Sequence, residues 1–308
     1  METSQLHTLR FYPKDLNRIL NPRYSHIAAP TLEEYLTKTT ANLFQIPLSD
    51  FAPVEKTTIA KRRIQSGYTY RNMLLIGISY FKGEPRVNFE VNGSAFDHLQ
   101  LDLDQLFAAV SSGFVITEIH AALDTTAVPF AQLWKCFRNS SVTSNAKRRC
   151  DYESTSKTLY FGCNDKVLCV YESGLYHDLQ ERDTVRFELR YTGEQARYFW
   201  EHFRADEADL SALIKGHVKS TFDVNFRRIT KDPNVSRRPT LPVWERFLAD
   251  SKETYKRYST KPSQVKNLMD CTIAYMERIA RQASPEELQG IMEALNSRFL
   301  NRSLEAIN

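Results

Sequence analysis

The chain has 308 residues, of which 42% are hydrophobic and 25% are charged, with only ten glycines and twelve prolines. This composition excludes a collagen-like chain, low-complexity disorder and a coiled-coil rod, and the length suits one large domain or two smaller ones. The net charge of +4 permits a nucleic-acid partner without requiring one. No window approaches about 18 uncharged apolar residues, and the N-terminus lacks the apolar run of a signal peptide. We therefore expect a cytoplasmic protein without membrane contact.

The first third of the chain is predicted to change from helix to strand. Residues 1–64 are expected to form a helical or irregular N-terminal segment. Within it, Thr31 is predicted to cap a helix because two acidic residues follow in the first turn. The apolar run 73–78 and the period-two alternation over 87–91 predict two strands, and the turn residues between them predict a hairpin. A helix over about 96–110 is expected next.

The remainder is predicted to be a strand-rich body followed by helices. Strands are predicted at 114–124, 158–162, 167–171 and 185–190, with a further alternating segment over 217–229. Helices are predicted at 130–137, 193–203 and 209–215. The fold class is therefore α+β: a mostly antiparallel sheet with flanking helices over 65–240, followed by an all-helical C-terminal region, 241–308.

No standard catalytic signature is present, so candidate chemistry must come from polar residues on the strands. The sequence has no phosphate-binding glycine loop, no HExxH, no GxSxG and no EF-hand or zinc-finger spacing. Five cysteines without a CxxC pair indicate neither a disulfide framework nor a zinc ribbon.

Two strands concentrate the candidate residues. Because alternate strand residues share a face, Glu188 is predicted to lie between Arg186 and Arg190. A solvated, salt-bridged strand face is the competing interpretation of this pattern. On the earlier strand, Asp124, Glu118 and His120 could join Glu188 in binding Mg²⁺ or Mn²⁺ if the two strands are neighbours. Alternatively, Asp124 caps the following helix and His120 is a core residue with a satisfied hydrogen bond.

Several segments together resemble one family, the replication initiation factors of rolling-circle plasmids and filamentous phages, which includes some conjugative relaxases. The family has a T-[LI]-Y-[FL]-G strand, a V-Y-[DE]-K-G strand and an R-x-E-[LI]-[KR] strand in this order, preceded by an I-D-x-A-x-D strand. The segments of this chain that resemble the family's pattern are 119–124, 158–162, 170–174, 186–190, 225–228 and 241–248.

The resemblance implies strand transfer by a tyrosine, whose hydroxyl attacks a DNA phosphodiester and leaves a 5′-phosphotyrosyl link and a free 3′-OH. Only about 0.1% of an ordinary tyrosine is phenolate at neutral pH, so activation is needed. The resemblance makes Asp124 and Glu188 metal-ligand candidates, joined by His120, and Arg190 the cation that stabilises the transition state. The nucleophile is predicted to be Tyr198 on the following helix, with Tyr191 as the alternative. The implied cofactor is Mg²⁺ or Mn²⁺.

Basic residues predict where the DNA backbone binds. They form two groups, one before the 158–162 strand and one after 225; the predicted DNA-binding residues are Lys147, Arg148, Arg149, Arg227, Arg228, Arg237 and Arg238. Each phosphate contact would steepen the salt dependence of binding.

The predicted function is initiation of rolling-circle replication: origin DNA is bound as a duplex and nicked as a single strand. The resemblance implies a host helicase and a homodimer as further partners. A mobilisation relaxase would use the same chemistry. Because His120 stands where the family has Asp, and Ser173 where it has Lys, a non-catalytic replication or copy-number regulator on the same fold is the alternative from another class. A structural protein that binds no DNA is the third.

Overall fold

The protein is described by a computed structural model over residues 2–21, 29–55, 58–59, 62–63, 65–153, 157–173, 184–205 and 209–251. All of these lie in one unit, Met1–Tyr255. The second unit, Lys256–Asn308, lies outside the described residues, and so does most of the predicted helical C-terminal region. No helix of the described residues is long and apolar enough to cross a membrane.

The described residues form fourteen strands and eight α-helices. The strands are β1 (Glu2–Pro13), β2 (Ala52–Glu55), β3 (Thr58–Ile59), β4 (Arg62–Arg63), β5 (Ser66–Tyr70), β6 (Leu74–Phe81), β7 (Glu84–Asn92), β8 (Phe114–Thr125), β9 (Val142–Thr143), β10 (Arg149–Glu153), β11 (Lys157–Cys163), β12 (Lys166–Glu172), β13 (Val185–Thr192) and β14 (Asn225–Phe226). The α-helices are α1 (Leu16–Leu20), α2 (Leu32–Phe44), α3 (Gly93–His98), α4 (Leu103–Gly113), α5 (Phe130–Arg138), α6 (Gly193–Ala205), α7 (Leu210–Ser220) and α8 (Pro242–Phe247).

Ten of the strands form one antiparallel sheet, in the order β10-β11-β12-β13-β8-β1-β7-β6-β5-β2. The predicted α+β class with a mostly antiparallel sheet is confirmed. The expectation that residues 1–64 are helical or irregular is wrong for β1, which lies between β8 and β7. A register shift between Leu6 and Thr8 interrupts the period-two pattern of this strand, which hid it from the sequence analysis. The predicted domain boundaries remain predictions.

The predicted hairpin and the four central strands are confirmed, while two predictions fail for local reasons. The helix expected over 96–110 is two helices, because Asn92 caps α3 and Asp102 caps α4, each accepting a backbone N–H. The alternation over 217–229 predicted a strand, but only Asn225–Phe226 forms one, because α7 continues to Ser220 and buries His217 and Val218 in the core. Apolar packing thus overrides the alternating pattern there.

A glycine explains one sequence motif. Gly162 ends the T-L-Y-F-G segment with φ +101°, and a Cβ placed there would lie 2.3 Å from the carbonyl oxygen of Lys166. Only glycine permits both this backbone conformation and the close approach of β11 to the start of β12.

The large sheet has two chemically different faces. On one, which we call the helix face, Phe187 stacks on Phe247 of α8, and Tyr191 contacts Phe199 of α6 and His217 of α7. The other, which we call the polar face, carries the alternate residues of the same strands. Its residues near the centre of the sheet are Arg10, Glu118, His120, Asp124, Arg186, Glu188 and Arg190.

Candidate metal centre and nucleic-acid interface

Glu188 is the centre of the polar cluster. Its side chain is only 1% exposed. Arg190 donates to both carboxylate oxygens at 2.9 Å, and the hydroxyl of Tyr171 donates to Oε2 at 3.0 Å. Nδ1 of His120 lies 3.3 Å from Oε1. The strands that carry Glu188 and His120, β13 and β8, are neighbours in the sheet, so these two predicted ligands lie side by side.

His120 connects this cluster to β1. Its Nε2 lies 2.8 Å from Oε1 of Glu118, and the other oxygen of Glu118 accepts a hydrogen bond from Arg10. Arg10 also donates to Glu90 of β7 at 2.7 Å. A chain of alternating charges thus crosses four neighbouring strands, from β13 to β7.

His7 completes a group with the spacing of a metal site. One ligand atom each from His7, His120 and Glu188 lie within 4.8 Å of one another. Nδ1 of His7 is buried, makes no hydrogen bond and lies 4.0 Å from Oε1 of Glu188. A buried imidazole nitrogen without a partner, aimed at a carboxylate and a second imidazole, fits a bound cation. Two nitrogens and one oxygen suit Mn²⁺ or another transition metal better than Mg²⁺, which prefers oxygen ligands.

The pKa values at this cluster favour a charged carboxylate. Burial alone would raise the pKa of Glu188, but hydrogen bonds from His120 and Arg190 lower it well below its ordinary value. Burial lowers the pKa of His7, which keeps this imidazole neutral and able to bind a metal. Burial opposes protonation of His120 as well, but its hydrogen bonds to Glu118 and Glu188 raise its pKa.

The other predicted ligand, Asp124, lies on the same face but has different partners. Arg186 donates to its two oxygens at 2.9 and 2.6 Å, and Ser173 donates to Oδ1 at 3.0 Å. It is not a member of the His7–His120–Glu188 group. The metal-ligand role that the resemblance assigns to Asp124 remains a prediction.

The structure places the two predicted nucleophiles away from Glu188. Tyr191 points to the helix face, where its hydroxyl lies 2.9 Å from Nδ1 of His217, and burial raises its pKa. Tyr198 is half-buried on α6, which packs on the helix face through Phe199. The sheet therefore separates α6 from the Glu188 cluster.

Two residues of the cluster were missed by sequence reasoning. His7 lies at the register shift of β1, where no alternation marks it. Tyr171 was visible, because it belongs to the quoted 170–174 segment and lies opposite Arg186 across β12 and β13. Applying the alternation rule to that segment would have placed it beside Glu188.

The structure brings the two predicted basic groups together. Lys147, Arg148 and Arg149 are exposed at the start of β10, beside the β9–β14 pair. Arg238 reaches this region by donating to Ser141 at 2.6 Å. A groove of about 520 Å³ lies between them, lined by residues that include Ser144, Arg149 and Val235.

The basic group after residue 225 contains two arginines that make hydrogen bonds within the protein, Arg227 and Arg238, and two that are exposed. Arg227 donates to the carbonyl of Arg238 at 3.1 Å, whereas Arg228 and Arg237 are exposed. The exposed arginines are the better candidates for phosphate contacts, because their guanidinium groups remain accessible.

Comparison with known proteins gives the family. A family model described as replication initiation factor (Rep_trans) matches residues 132–297, more than half of the chain. The chain belongs to this replication initiation factor family. The predicted family is therefore confirmed, and initiation of replication is the role that the family name describes. No curated protein matches the chain.

A solved structure supports the fold of this replication initiation factor. It is described as the structure of a rolling circle replication initiator protein from Geobacillus stearothermophilus. The two chains share 19% identity with a TM-score of 0.63, over 82% of this chain and 97% of the other. At this level of identity the comparison establishes a shared fold, and the match extends beyond the segment covered by the family model.

Proposed function

We propose that this replication initiation factor starts rolling-circle replication by nicking one strand of origin DNA in a metal-dependent tyrosine transesterification. The observation that carries the proposal is the group formed by His7, His120 and Glu188, with a tyrosine hydroxyl bound directly to Glu188. The family and the fold shared with a rolling circle initiator support the same function. The reaction exchanges one phosphodiester for another, so no external energy source is needed.

Each residue of the cluster has a proposed role. His7, His120 and Glu188 would hold Mn²⁺ or Mg²⁺, and His120 would have to be in its neutral form to do so. The bound ion would polarise the scissile phosphate. Arg190, whose side chain is 41% exposed, is within reach of an incoming phosphate and stabilises the charge that develops on it. Because Arg190 donates to both oxygens of Glu188, a bound cation would share this carboxylate with Arg190 or replace one of its hydrogen bonds.

The geometry favours Tyr171 as the nucleophile over the tyrosines chosen from the sequence. Its hydroxyl donates to Glu188, and this hydrogen bond holds the phenolic oxygen beside the proposed metal group. Because the pKa of Glu188 lies well below its ordinary value, the carboxylate positions the hydroxyl, and the proton passes to solvent as the oxygen attacks phosphorus. Burial, and next the negative charge of Glu188, raise the pKa of Tyr171. A cation held by His7, His120 and Glu188 would offset that negative charge and favour the phenolate, which agrees with a metal-dependent reaction. Tyr198 and Tyr191 stay as the alternatives from the sequence.

A covalent-adduct assay tests the proposal. Purified protein is mixed with single-stranded origin fragments and Mn²⁺ and run on a denaturing gel beside Tyr171→Phe, Tyr198→Phe and Tyr191→Phe. We expect loss of the adduct with Tyr171→Phe alone. Loss with Tyr198→Phe alone would keep the function and return the nucleophile to α6. If the wild-type protein binds DNA but forms no adduct with any fragment, the nicking proposal is wrong.

One observation favours a second candidate, a non-catalytic DNA-binding regulator. Arg190 and His120 already neutralise Glu188, so the charge of this carboxylate is balanced without a metal ion. A regulator would bind origin DNA with the same affinity in Mn²⁺ and in EDTA, whereas a metal-dependent enzyme would form its adduct only with the ion. The relaxase role, the host helicase and the homodimer remain predictions of the family resemblance.

A further inference from the structure

The end of the β6–β7 hairpin, which we call the arm, extends past its described pairings with the neighbouring strands. Of the pairings described, β5 reaches β6 only as far as Ile78, and β1 reaches β7 only as far as Phe89. Beyond these points β6 and β7 pair with each other up to Phe81 and Glu84. The two turn residues, Lys82 and Gly83, have φ of 53° and 83°. Positive φ at both positions is typical of a type I′ turn, which joins the strands tightly.

The tip of this arm exposes aromatic rings and cations together. The side chains of Tyr80 and Phe81 are among the most exposed large hydrophobic groups of the described residues, at 50% and 52%. The guanidinium carbon of Arg86 lies 4.3 Å from the centre of the Phe81 ring, and the amine of Lys82 lies 5.7 Å from it. An exposed ring beside two cations is not explained by packing of the core, because neither the ring nor the cations are buried in it.

The hairpin tip lies on the side of the sheet that carries the metal centre. Glu90 lies on the polar face, where it accepts a hydrogen bond from Arg10. Arg86 is four residues from Glu90 on the same strand, and because alternate strand residues share a face, Arg86 also lies on the polar face. Four strand spacings, roughly 19 Å, separate β13 from β6 across the sheet. The tip also lies eight residues, roughly 26 Å, along β7 from Asn92, which is in register with Thr8 and His120. A strand of DNA held at Glu188 can follow the polar face toward Phe81.

A basic groove adjoins the arm. It has a volume of about 720 Å³ and is lined by residues that include Lys14, Arg18 and Arg86. This volume is in the range of sites that hold small molecules the size of a nucleotide. The groove and the tip together carry four cations, Lys14, Arg18, Lys82 and Arg86, against two carboxylates, Asp15 and Glu84.

We propose that the tip of the β6–β7 hairpin binds an unpaired DNA strand, with Phe81 stacking on a base and Arg86 and Lys82 contacting the adjacent phosphates. Stacking on an exposed ring requires a base that is free of its duplex partner, which favours single-stranded over double-stranded DNA. The excess of positive charge favours a polyanion over a second copy of this chain, which is itself basic. The choice of DNA rests on the proposed function.

Anisotropy of labelled oligonucleotides in EDTA, without nicking, tests the proposal. We expect Phe81→Ala to weaken binding of single-stranded DNA about tenfold or more, and Phe81→Trp to restore it. Arg86→Gln should lower the log–log salt slope by about 0.7. The matched control is Tyr152→Ala, which removes a ring that is 59% exposed at the opposite edge of the sheet. It should leave the affinity unchanged.

The outcomes separate this proposal from the proposed nicking function. Unchanged affinity of Phe81→Ala for single strands, or an equal loss for duplex DNA, would overturn the hairpin proposal even if the wild-type adduct forms. A change of oligomeric state in Phe81→Ala, measured by sedimentation, would assign the tip to a second copy of the chain instead. Phe81-dependent binding without any adduct would support the hairpin and contradict nicking.

Discussion

Tyr171 and Tyr191 lie in the same sheet and bond to titratable partners of opposite character. Tyr171 donates to Glu188 on the polar face, beside two histidines and an arginine. Tyr191 bonds to His217 on the helix face, among aromatic rings and fully buried. Burial raises the pKa of both tyrosines. The two sites differ in their access to solvent, since the polar-face cluster also includes the partly exposed Arg190 and His7.

This difference shows that a residue's distance in sequence from Glu188 does not predict whether it lies in the site, because neighbouring strand residues face opposite sides of the sheet. Tyr191 is three residues from Glu188 and faces the other way, whereas Tyr171 is on the neighbouring strand and faces the same way. The function of each tyrosine is therefore expected to follow its face: chemistry for Tyr171 and stability for Tyr191.

The largest effect is expected at Glu188. Glu188→Gln removes the charge that attracts a cation and the carboxylate that positions the Tyr171 hydroxyl, so adduct formation in Mn²⁺ should fall by about 100-fold or more. The rate is measured from the time course of the covalent adduct. The matched control is Glu90→Gln, a carboxylate on the same face that bonds to Arg10 outside the group of three. Equal loss in both variants would show that general charge on the polar face matters, not the metal group.

The next prediction tests whether Asp124 belongs to the metal group of His7, His120 and Glu188. Asp124→Asn leaves the buried Arg186 without its opposite charge, and we expect unfolding free energy to fall by about 2–3 kcal/mol. Because Asp124 is outside the group of three, the Mn²⁺ dissociation constant should change by less than about twofold, whereas loss of a ligand or its close support typically costs tenfold or more. Urea denaturation and Mn²⁺ titration measure the two quantities. A tenfold weaker Mn²⁺ affinity would restore Asp124 as a ligand.

Alternation along strands made half of this site predictable. The spacing of Glu188 and Arg190, and the strand that carries His120, could be assigned from sequence because β8 and β13 keep a regular period of two. His7 could not, because the register shift of β1 breaks that period, and the pairing of β1 with β8 joins residues more than 100 positions apart. The same limit applies to the fold: local signals located the hairpin and central strands, while the position of β1 in the sheet depends on long-range pairing.

Tyr191→Phe tests the opposite face. Removing the hydroxyl leaves Nδ1 of His217 with the longer contact to Thr221, at 3.2 Å, and should lower the free energy of unfolding by about 1–2 kcal/mol. Adduct formation should be retained. Tyr152→Phe, at an exposed site, is the control and should change stability by less than about 0.5 kcal/mol. Loss of the adduct in a stably folded Tyr191→Phe protein would contradict the division of roles between the faces.

The most gradual effect expected is the pH dependence that His217 gives to stability, because it is spread over several pH units. Burial, and next the positive charges of His202 and Lys166, lower the pKa of His217 to about 3. In the unfolded chain a histidine titrates near 6.5, so between these values the unfolded state binds a proton that the folded state does not. Stability therefore falls as pH decreases from about 6.5, by at most about 1.4 kcal/mol per pH unit from this group. His217→Gln should flatten the slope measured by urea denaturation between pH 6.5 and 4.5, while the exposed His98→Gln should leave it unchanged. An unchanged slope in His217→Gln would show that His217 is protonated in the folded protein. The apolar packing of the helix face would then accommodate a charged imidazole, contrary to our expectation.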